Sequence, residues 1–240
     1  MTTLPEIENS ILELPPAECA RLAEWLSSLM RTPRRIAEPA AVYAGGMSFP
    51  MTLEEYLQFE EQSRIRHEYI AGEIFAMSGV TKRHNRIAGR FYQAFAAHLR
   101  GGPCDAYMSD VKVRLQVNRD AHVYYPDVMV VCDRDANEDR YVTNPKLIVE
   151  VLSTSTAGVD RQEKRIAYRE ITVLQEYVIV AQDALEVTVF RREENWAPVV
   201  LDTLESAVEL RSIGLALPLA QIYEGEAMSG SNRAAPSHDG

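Results

Sequence analysis

The sequence predicts an α/β fold, with a mixed central sheet flanked by helices and a short helical appendage at the N-terminus. Two observations support this class. Helical and strand patterns alternate along residues 47–227, and several strand patterns are apolar throughout. Such strands are covered on both faces, which requires layers on both sides of the sheet. The 240 residues, 46% hydrophobic and 25% charged, suit one globular domain plus an appendage.

The domain is expected to begin with a helix, a hairpin and a second helix. Thr52 and Glu55 have the spacing of a capping box, which predicts a helix over 53–63. Apolar and polar residues alternate on both sides of Ala71-Gly72, which predicts a β-hairpin. Apolar residues at helical spacing then predict a long helix over 82–99.

The remainder of the domain is expected to be mostly strand. Short runs of residues alternate in polarity or are continuously apolar, and one further helix is expected over 161–171. The expected strands are 110–117, 123–131, 146–152, 176–181 and 186–191, with 196–201 as an edge strand.

The flanking segments differ from the domain in composition. Residues 1–30 have two short helical patterns separated by Pro15-Pro16, and 31–46 mix prolines, arginines and a glycine pair, which is typical of a linker. Residues 228–240 are rich in Ser, Gly, Asn and Pro, and we expect them to be disordered. The domain itself is expected to span 47–227.

The chain shows no sign of a membrane span or a signal peptide, so we expect a cytoplasmic protein with no membrane partner. No apolar run approaches the length of a span, and the N-terminus lacks an apolar core. Cys19, Cys104 and Cys132 are odd in number and widely spaced. They fit a reducing cytosol better than a disulfide framework.

The net charge of −10 argues against bulk attraction to nucleic acid, but one stretch is basic. Residues 82–119 contain eight lysines and arginines against two aspartates. These side chains are either solvated faces of a helix and a strand or a surface that contacts phosphates. The start of the 82–99 helix is the better place for phosphate contact because helix N-termini attract anions. Its candidate nucleic-acid-binding residues are Lys82, Arg83, His84, Arg86 and Arg90.

Two carboxylates interrupt apolar strand patterns. Asp127 lies in 123–131 and Glu150 lies in 146–152. A carboxylate in such a strand is costly unless it is paired, hydrogen-bonded or bound to a metal. Two of them on neighbouring strands favour a hard cation, Mg²⁺ or Mn²⁺. The alternative is a pair of buried salt bridges.

Several ordered motifs resemble a known family. Pro126-Asp127 followed by Glu150-Val151-Leu152-Ser153 is similar to the PD-(D/E)xK nuclease core. The surrounding sequence resembles the Uma2 family of endonucleases over about residues 48–225. The segments that carry this resemblance are 66–74, 109–115, 125–128, 145–153 and the run that contains Asp160, Lys164 and Tyr168.

The resemblance implies a restriction-endonuclease-like fold and metal-dependent hydrolysis of DNA. It makes Asp127 and Glu150 the metal ligands and Lys164 and Glu68 further catalytic residues. The usual lysine of the core is replaced by Leu152, and the family supplies its lysine from the following helix, at Lys164. Alternatively, Lys164 is a surface residue and Glu68 pairs with an arginine such as Arg66.

The sequence is also compatible with two other functions. Leu152 would also suit an inactive module that binds nucleic acid or a protein partner. Residues 11–26 resemble addiction-module components, which would suit a toxin–antitoxin-like complex. For the enzyme we expect a homodimer, because a two-fold dimer would present two sites to the two strands of a duplex.

Overall fold

The computed structural model describes residues 51–77, 79–133, 139–152 and 160–226, with no side-chain detail for 160–162. The predicted appendage (1–30), linker (31–46) and tail (228–240) lie outside these residues. None of the helices described has both the length and the apolar character that a membrane span requires.

The described residues form four α-helices, one 3₁₀-helix (Arg192–Glu194) and twelve strands. The helices are α1 (Leu53–Gln62), α2 (Lys82–His98), α3 (Asp160–Arg169) and α4 (Leu219–Ile222). The strands are β1 (His67–Ile70), β2 (Glu73–Ala76), β3 (Asp105–Met108), β4 (Val113–Val117), β5 (Asp120–Tyr124), β6 (Val128–Val131), β7 (Leu147–Leu152), β8 (Glu176–Ala181), β9 (Val187–Arg191), β10 (Pro198–Leu201), β11 (Ala207–Leu210) and β12 (Leu215–Pro218).

The strands assemble into three sheets. The central sheet has six strands in the order β10-β9-β8-β7-β6-β3, and only its β7–β8 pair is parallel. A four-stranded antiparallel sheet has the order β2-β1-β5-β4. Strands β11 and β12 form a separate hairpin. The mixed central sheet with flanking helices confirms the predicted fold class.

The central sheet is buried on both faces, as its apolar strands predict. On one face, Ile87, Phe91 and Phe95 of α2 pack against valines such as Val128 and Val149. On the other face, α3 and the four-stranded sheet form a second core around residues such as Ile148 and Tyr177. The strand β7 therefore contributes alternate side chains to two cores, which explains its continuous apolar sequence.

The elements with clear local signals lie where the sequence predicts them. The capping box at the start of α1 is formed, with the Glu55 carboxylate accepting from the Thr52 backbone N–H at 2.7 Å. The hairpin turns at Ala71-Gly72, and both residues have positive φ. The predicted long helix is α2, with Thr81 as its N-cap.

The predicted strand over 123–131 is wrong. Residues of this run belong to two strands in different sheets, β5 and β6, and residues 125–127 connect them. Pro126 has no N–H to donate to a strand ladder, so the chain leaves one sheet there and enters the other. The strand expected over 110–117 begins only at Val113. The short strands β3, β11 and β12 were not predicted.

The expectation for the cysteines is also contradicted, because Cys104 and Cys132 form a disulfide. The two residues flank the antiparallel pair β3–β6, in which Asp105 pairs with Val131. The register therefore places the two cysteines opposite each other. Their sequence separation of 28 residues conceals this adjacency, since nothing in the sequence predicts β3.

We expect the Cys104–Cys132 disulfide to stabilise the domain by about 2–4 kcal/mol, because it restricts the unfolded chain. Urea unfolding with and without a reductant measures this difference. The double variant Cys104→Ser/Cys132→Ser is the control and should not respond to the reductant. Equal midpoints for the native chain in both conditions would contradict the prediction.

Candidate active site

The register of β6 and β7 brings the two predicted acids together. Val128 pairs with Val149 in antiparallel register, so Asp127, one residue before β6, lies opposite Glu150. The negative charge of Asp127 acts on the Glu150 carboxylate, so the two groups lie near each other. The Val151 backbone N–H donates a 2.7 Å hydrogen bond to Asp127 Oδ2. This bond fixes the Asp127 carboxylate at the end of β7.

Glu150 is only 4% exposed and lies among other charged groups. The Tyr168 hydroxyl donates a 2.9 Å hydrogen bond to Glu150 Oε1, and Lys164 Nζ lies 3.7 Å from the same oxygen. Burial raises the pKa of Glu150, Lys164 opposes this shift, and the negative charges of Asp127 and Glu68 add to it. The resulting pKa is about 8.

Lys164 projects from α3 into the interior. Its Nζ lies 2.6 Å from Glu68 Oε1, and the ammonium also lies 5.5 Å from the centre of the Tyr124 ring. The alternative of a surface lysine does not describe this position, because the side chain is only 11% exposed. Lys164 therefore lies between two carboxylates, Glu68 and Glu150.

Glu68 reaches this site from the other sheet. It lies on β1, where all four residues are buried, and the antiparallel pairing with β5 fixes that strand. Its ion pair is with Lys164, whereas Arg66 forms an ion pair with Asp110 at 3.2 Å. We use the term acidic cluster for Glu68, Asp127 and Glu150, with Lys164 between the first and the last.

His84 lies beside the acidic cluster. It belongs to the first turn of α2, and its Nε2 is 3.2 Å from Asp127 Oδ2. Burial alone would lower the pKa of His84, but the hydrogen bond and charge of Asp127, together with the Val151 backbone, raise it. The Asp127 carboxylate therefore stabilises the positive charge of the imidazolium form.

The other predicted nucleic-acid-binding residues lie further along α2. Lys82 is exposed at the first helical position. Arg83, Arg86 and Arg90 all form ion pairs with one carboxylate, that of Glu226. The structure therefore does not bring these arginines into the acidic cluster but places them next to it, on the helix that carries His84.

Glu60, a buried carboxylate on α1, is a residue that sequence reasoning missed. Its Oε1 accepts hydrogen bonds from the His67 backbone N–H at 3.0 Å and from the Tyr125 hydroxyl at 2.7 Å. Its Oε2 lies 2.9 Å from His67 Nδ1. Glu60 thus holds the residue before Glu68 and a residue two before Asp127. The only available signal was its position on the buried face of α1, with Tyr56.

The donor set suits a divalent cation. The acidic cluster places three carboxylates near one lysine, and burial together with the neighbouring negative charges raises the pKa of Glu150 to about 8. Oxygen donors are the ligands that Mg²⁺ and Mn²⁺ prefer. Across the part of the chain described, no three His, Cys, Asp or Glu side chains form a complete metal-binding group by themselves. Asp127 and Glu150 would therefore share the ion with water or backbone oxygens.

Comparisons with known proteins agree with this fold. A crystal structure from Anabaena variabilis ATCC 29413, described as "a putative nuclease belonging to DUF820", matches with a TM-score of 0.60 and 20% identity. The match covers 72% of this chain and 97% of that one. The two chains therefore share one α/β fold.

The family follows from the sequence. The family model Uma2, "Putative restriction endonuclease", matches residues 53–220. "Uncharacterized protein slr1290" of Synechocystis sp. (strain ATCC 27184 / PCC 6803 / Kazusa) is 40% identical over 180 residues, which are 74% of this chain and 94% of that protein. A second protein of that organism, "Uncharacterized protein sll1609", is 37% identical over 61% of this chain and 84% of its own length. The chain belongs to the Uma2 family, which confirms the family resemblance.

The raised pKa of Glu150 predicts a pH dependence of stability in the metal-free protein. Between the ordinary pKa of 4.5 and the folded value of about 8, the folded chain binds a proton that the unfolded chain has lost. The contribution of Glu150 to the free energy of unfolding should therefore decrease as the pH rises through this window. Urea unfolding in EDTA at several pH values measures it.

Glu150→Gln is the matched variant, because it keeps the side-chain size and does not titrate. The native chain should lose more stability than this variant between pH 5 and pH 8. Parallel pH profiles for the two proteins would show that Glu150 ionises at its ordinary pKa.

Proposed function

We propose that this protein is a metal-dependent endonuclease that hydrolyses phosphodiester bonds in DNA. The observation that carries the proposal is the position of Asp127 opposite Glu150, with Lys164 within 3.7 Å of the same Glu150 carboxylate. Two oxygen ligands and one ammonium are the groups needed to bind a cation and to compensate the charge that develops on a phosphate. Membership of the Uma2 family supports the same reaction class.

Asp127 and Glu150 are the residues that would hold the ion. A bound Mg²⁺ or Mn²⁺ supplies Lewis-acid polarisation of the phosphate and a more acidic water. The Val151 N–H orients Asp127, and the Tyr168 hydroxyl orients Glu150. Both carboxylates are therefore held by the protein before an ion or a substrate arrives.

Lys164 replaces the lysine that Leu152 cannot provide. Its ammonium would position the attacking water or offset the negative charge of the transition state. Glu68, 2.6 Å away, orients this ammonium in the interior. In this account Glu68 acts through Lys164 and does not need to bind the ion.

The substrate and the assembly are further parts of the proposal. The arginines next to the acidic cluster suit a polyanion such as DNA, and a homodimer would place one site on each strand of a duplex. Light scattering of the purified protein, alone and with a DNA duplex, measures the assembly.

One observation favours a second function, in which the protein binds DNA but does not hydrolyse it. Lys164 already neutralises Glu68 and approaches Glu150, so a positive charge is present in the acidic cluster without any ion. If this lysine replaces the metal, the protein would bind DNA and leave it intact.

Plasmid nicking separates the two functions. We expect the native chain to nick supercoiled DNA in Mn²⁺ or Mg²⁺ and not in EDTA. Asp127→Asn and Glu150→Gln should each reduce the rate by about 100-fold or more, because each weakens binding of the ion that would stabilise the transition state. Glu73→Gln, the same type of change at an exposed site on β2, is the control and should retain full activity. Undiminished nicking by purified Asp127→Asn protein would reject this site.

A second prediction concerns Lys164. The variant Lys164→Met should cut at least about 100-fold more slowly while it still binds Mn²⁺, since the lysine acts on the reaction and not on the ion. Calorimetry measures Mn²⁺ binding and the nicking assay measures the rate. A variant that cuts at the native rate would show that Lys164 has only a structural role.

A further inference from the structure

Three arginines on one face of α2 converge on a single carboxylate. Arg83, Arg86 and Arg90 are separated by three and four residues, which places them on one side of the helix. Arg86 binds Glu226 in a two-point arrangement, with Nε 2.6 Å from Oε1 and Nη2 2.7 Å from Oε2. Arg83 Nε lies 3.3 Å from Oε2, and Arg90 Nη1 lies 3.5 Å from Oε1.

This arrangement has more positive charge than one carboxylate needs. Three guanidinium groups surround one glutamate, and Asp183 Oδ1 lies at the longer distance of 3.9 Å from Arg83 Nη1. The Glu226 side chain is only 2% exposed, whereas that of Arg86 is 52% exposed. Two-point contact between an arginine and an oxyanion is the geometry that also serves phosphate recognition.

The arginines are close to the acidic cluster. Arg83 precedes His84, whose imidazole contacts Asp127 at 3.2 Å. Lys82, exposed at the start of the same helix, continues the positive surface. A DNA strand with one phosphate at the acidic cluster would therefore direct a neighbouring phosphate to the first turns of α2.

We propose that Arg83, Arg86 and Arg90 form a binding site for a backbone phosphate of the nucleic acid, and that the Glu226 carboxylate occupies this site until the nucleic acid displaces it. The inference rests on the proposed function, because it assigns a role in substrate binding to the same face of the protein. Glu226 is thereby an internal competitor of the substrate.

Replacement of the Glu226 carboxylate by a backbone phosphate is favourable when the phosphate belongs to a polyanion. Glu226 carries one negative charge, whereas a DNA strand brings several and releases condensed counterions when arginines and lysines bind its phosphates. The segment before Glu226 keeps other contacts with the helix. Arg90 donates hydrogen bonds to the backbone oxygens of Ile222, at 3.0 Å, and Glu224. Displacement therefore needs to move the Glu226 side chain only.

The test is DNA binding without cleavage. Fluorescence anisotropy with a labelled DNA duplex in EDTA, over a series of salt concentrations, compares Glu226→Ala and Glu226→Gln with the native chain. Loss of the competing charge should make DNA binding about 5- to 10-fold tighter. It should also steepen the slope of log affinity against log salt concentration by the equivalent of about one phosphate contact. The control Glu224→Ala removes the same charge two residues away, at an exposed side chain, and should change affinity less than twofold. Arg86→Ala should weaken binding.

The opposite results overturn the inference. Folded Glu226→Ala and Glu226→Gln proteins that bind DNA no more tightly than Glu224→Ala would show that Glu226 does not compete with phosphate. Absence of DNA binding by all variants, or unfolding of both Glu226 variants, would also overturn it, because Glu226 would then have only a structural role. Tighter binding by the Glu226 variants without any metal-dependent cleavage would leave this inference intact and reject the endonuclease function alone.

Discussion

The candidate site depends on buried carboxylates whose negative charge the neighbouring basic side chains compensate only in part. Glu68 lies on β1 and Glu150 on β7, whereas Asp127 lies in the connection before β6. Lys164 and His84 contact these carboxylates. Burying a carboxylate without compensation is costly, and the structure responds in two ways. Lys164 forms its short ion pair with Glu68, and the pKa of Glu150 rises to about 8. A divalent cation would compensate Asp127 and Glu150 in place of His84 and the proton of Glu150, which is why the site suits one.

The connection between the two sheets brings these carboxylates together. Residues 125–127 carry the chain from the four-stranded sheet to the central sheet, and the Asp127 carboxylate is then held by the Val151 N–H. Glu60 binds Tyr125 and His67, and so connects the segments before Asp127 and Glu68. One buried glutamate outside the acidic cluster thus connects the segments that carry two of its members. Such a role is positional and needs no contact with a substrate.

Local sequence patterns predict most helices and strands, but they do not predict the contacts between distant elements. The capping box at Thr52 and the turn at Ala71-Gly72 are encoded within a few residues, so α1 and the β1–β2 hairpin could be predicted. The split between β5 and β6 could not, because the apolar run from 123 to 131 continues through Pro126 without a change in polarity. The Cys104–Cys132 disulfide depends on β3, whose four residues lack a clear strand pattern.

In the candidate site, too, the sequence marks single residues but not the contacts between distant ones. Asp127 and Glu150 were conspicuous as charges in apolar strands, and the family motif pointed to Lys164 and Glu68. The partners of the α2 arginines were hidden, because Glu226 is 136 residues beyond Arg90 and nothing in its own segment marks it. Long-range pairing of this kind depends on the packing of α2 beside the end of the domain. Sequence patterns describe single elements and not their neighbours.

The central claim is that the acidic cluster is a site for one divalent cation, and metal titration tests it most directly. Calorimetric titration of Mn²⁺ into the metal-free protein at pH 7, in two buffers of different ionisation enthalpy, gives the stoichiometry and the number of protons released. We predict one ion per chain with release of a proton from Glu150, and loss of both signals in the double variant Asp127→Asn/Glu150→Gln. Absence of binding, or equal binding by the double variant, would contradict the claim.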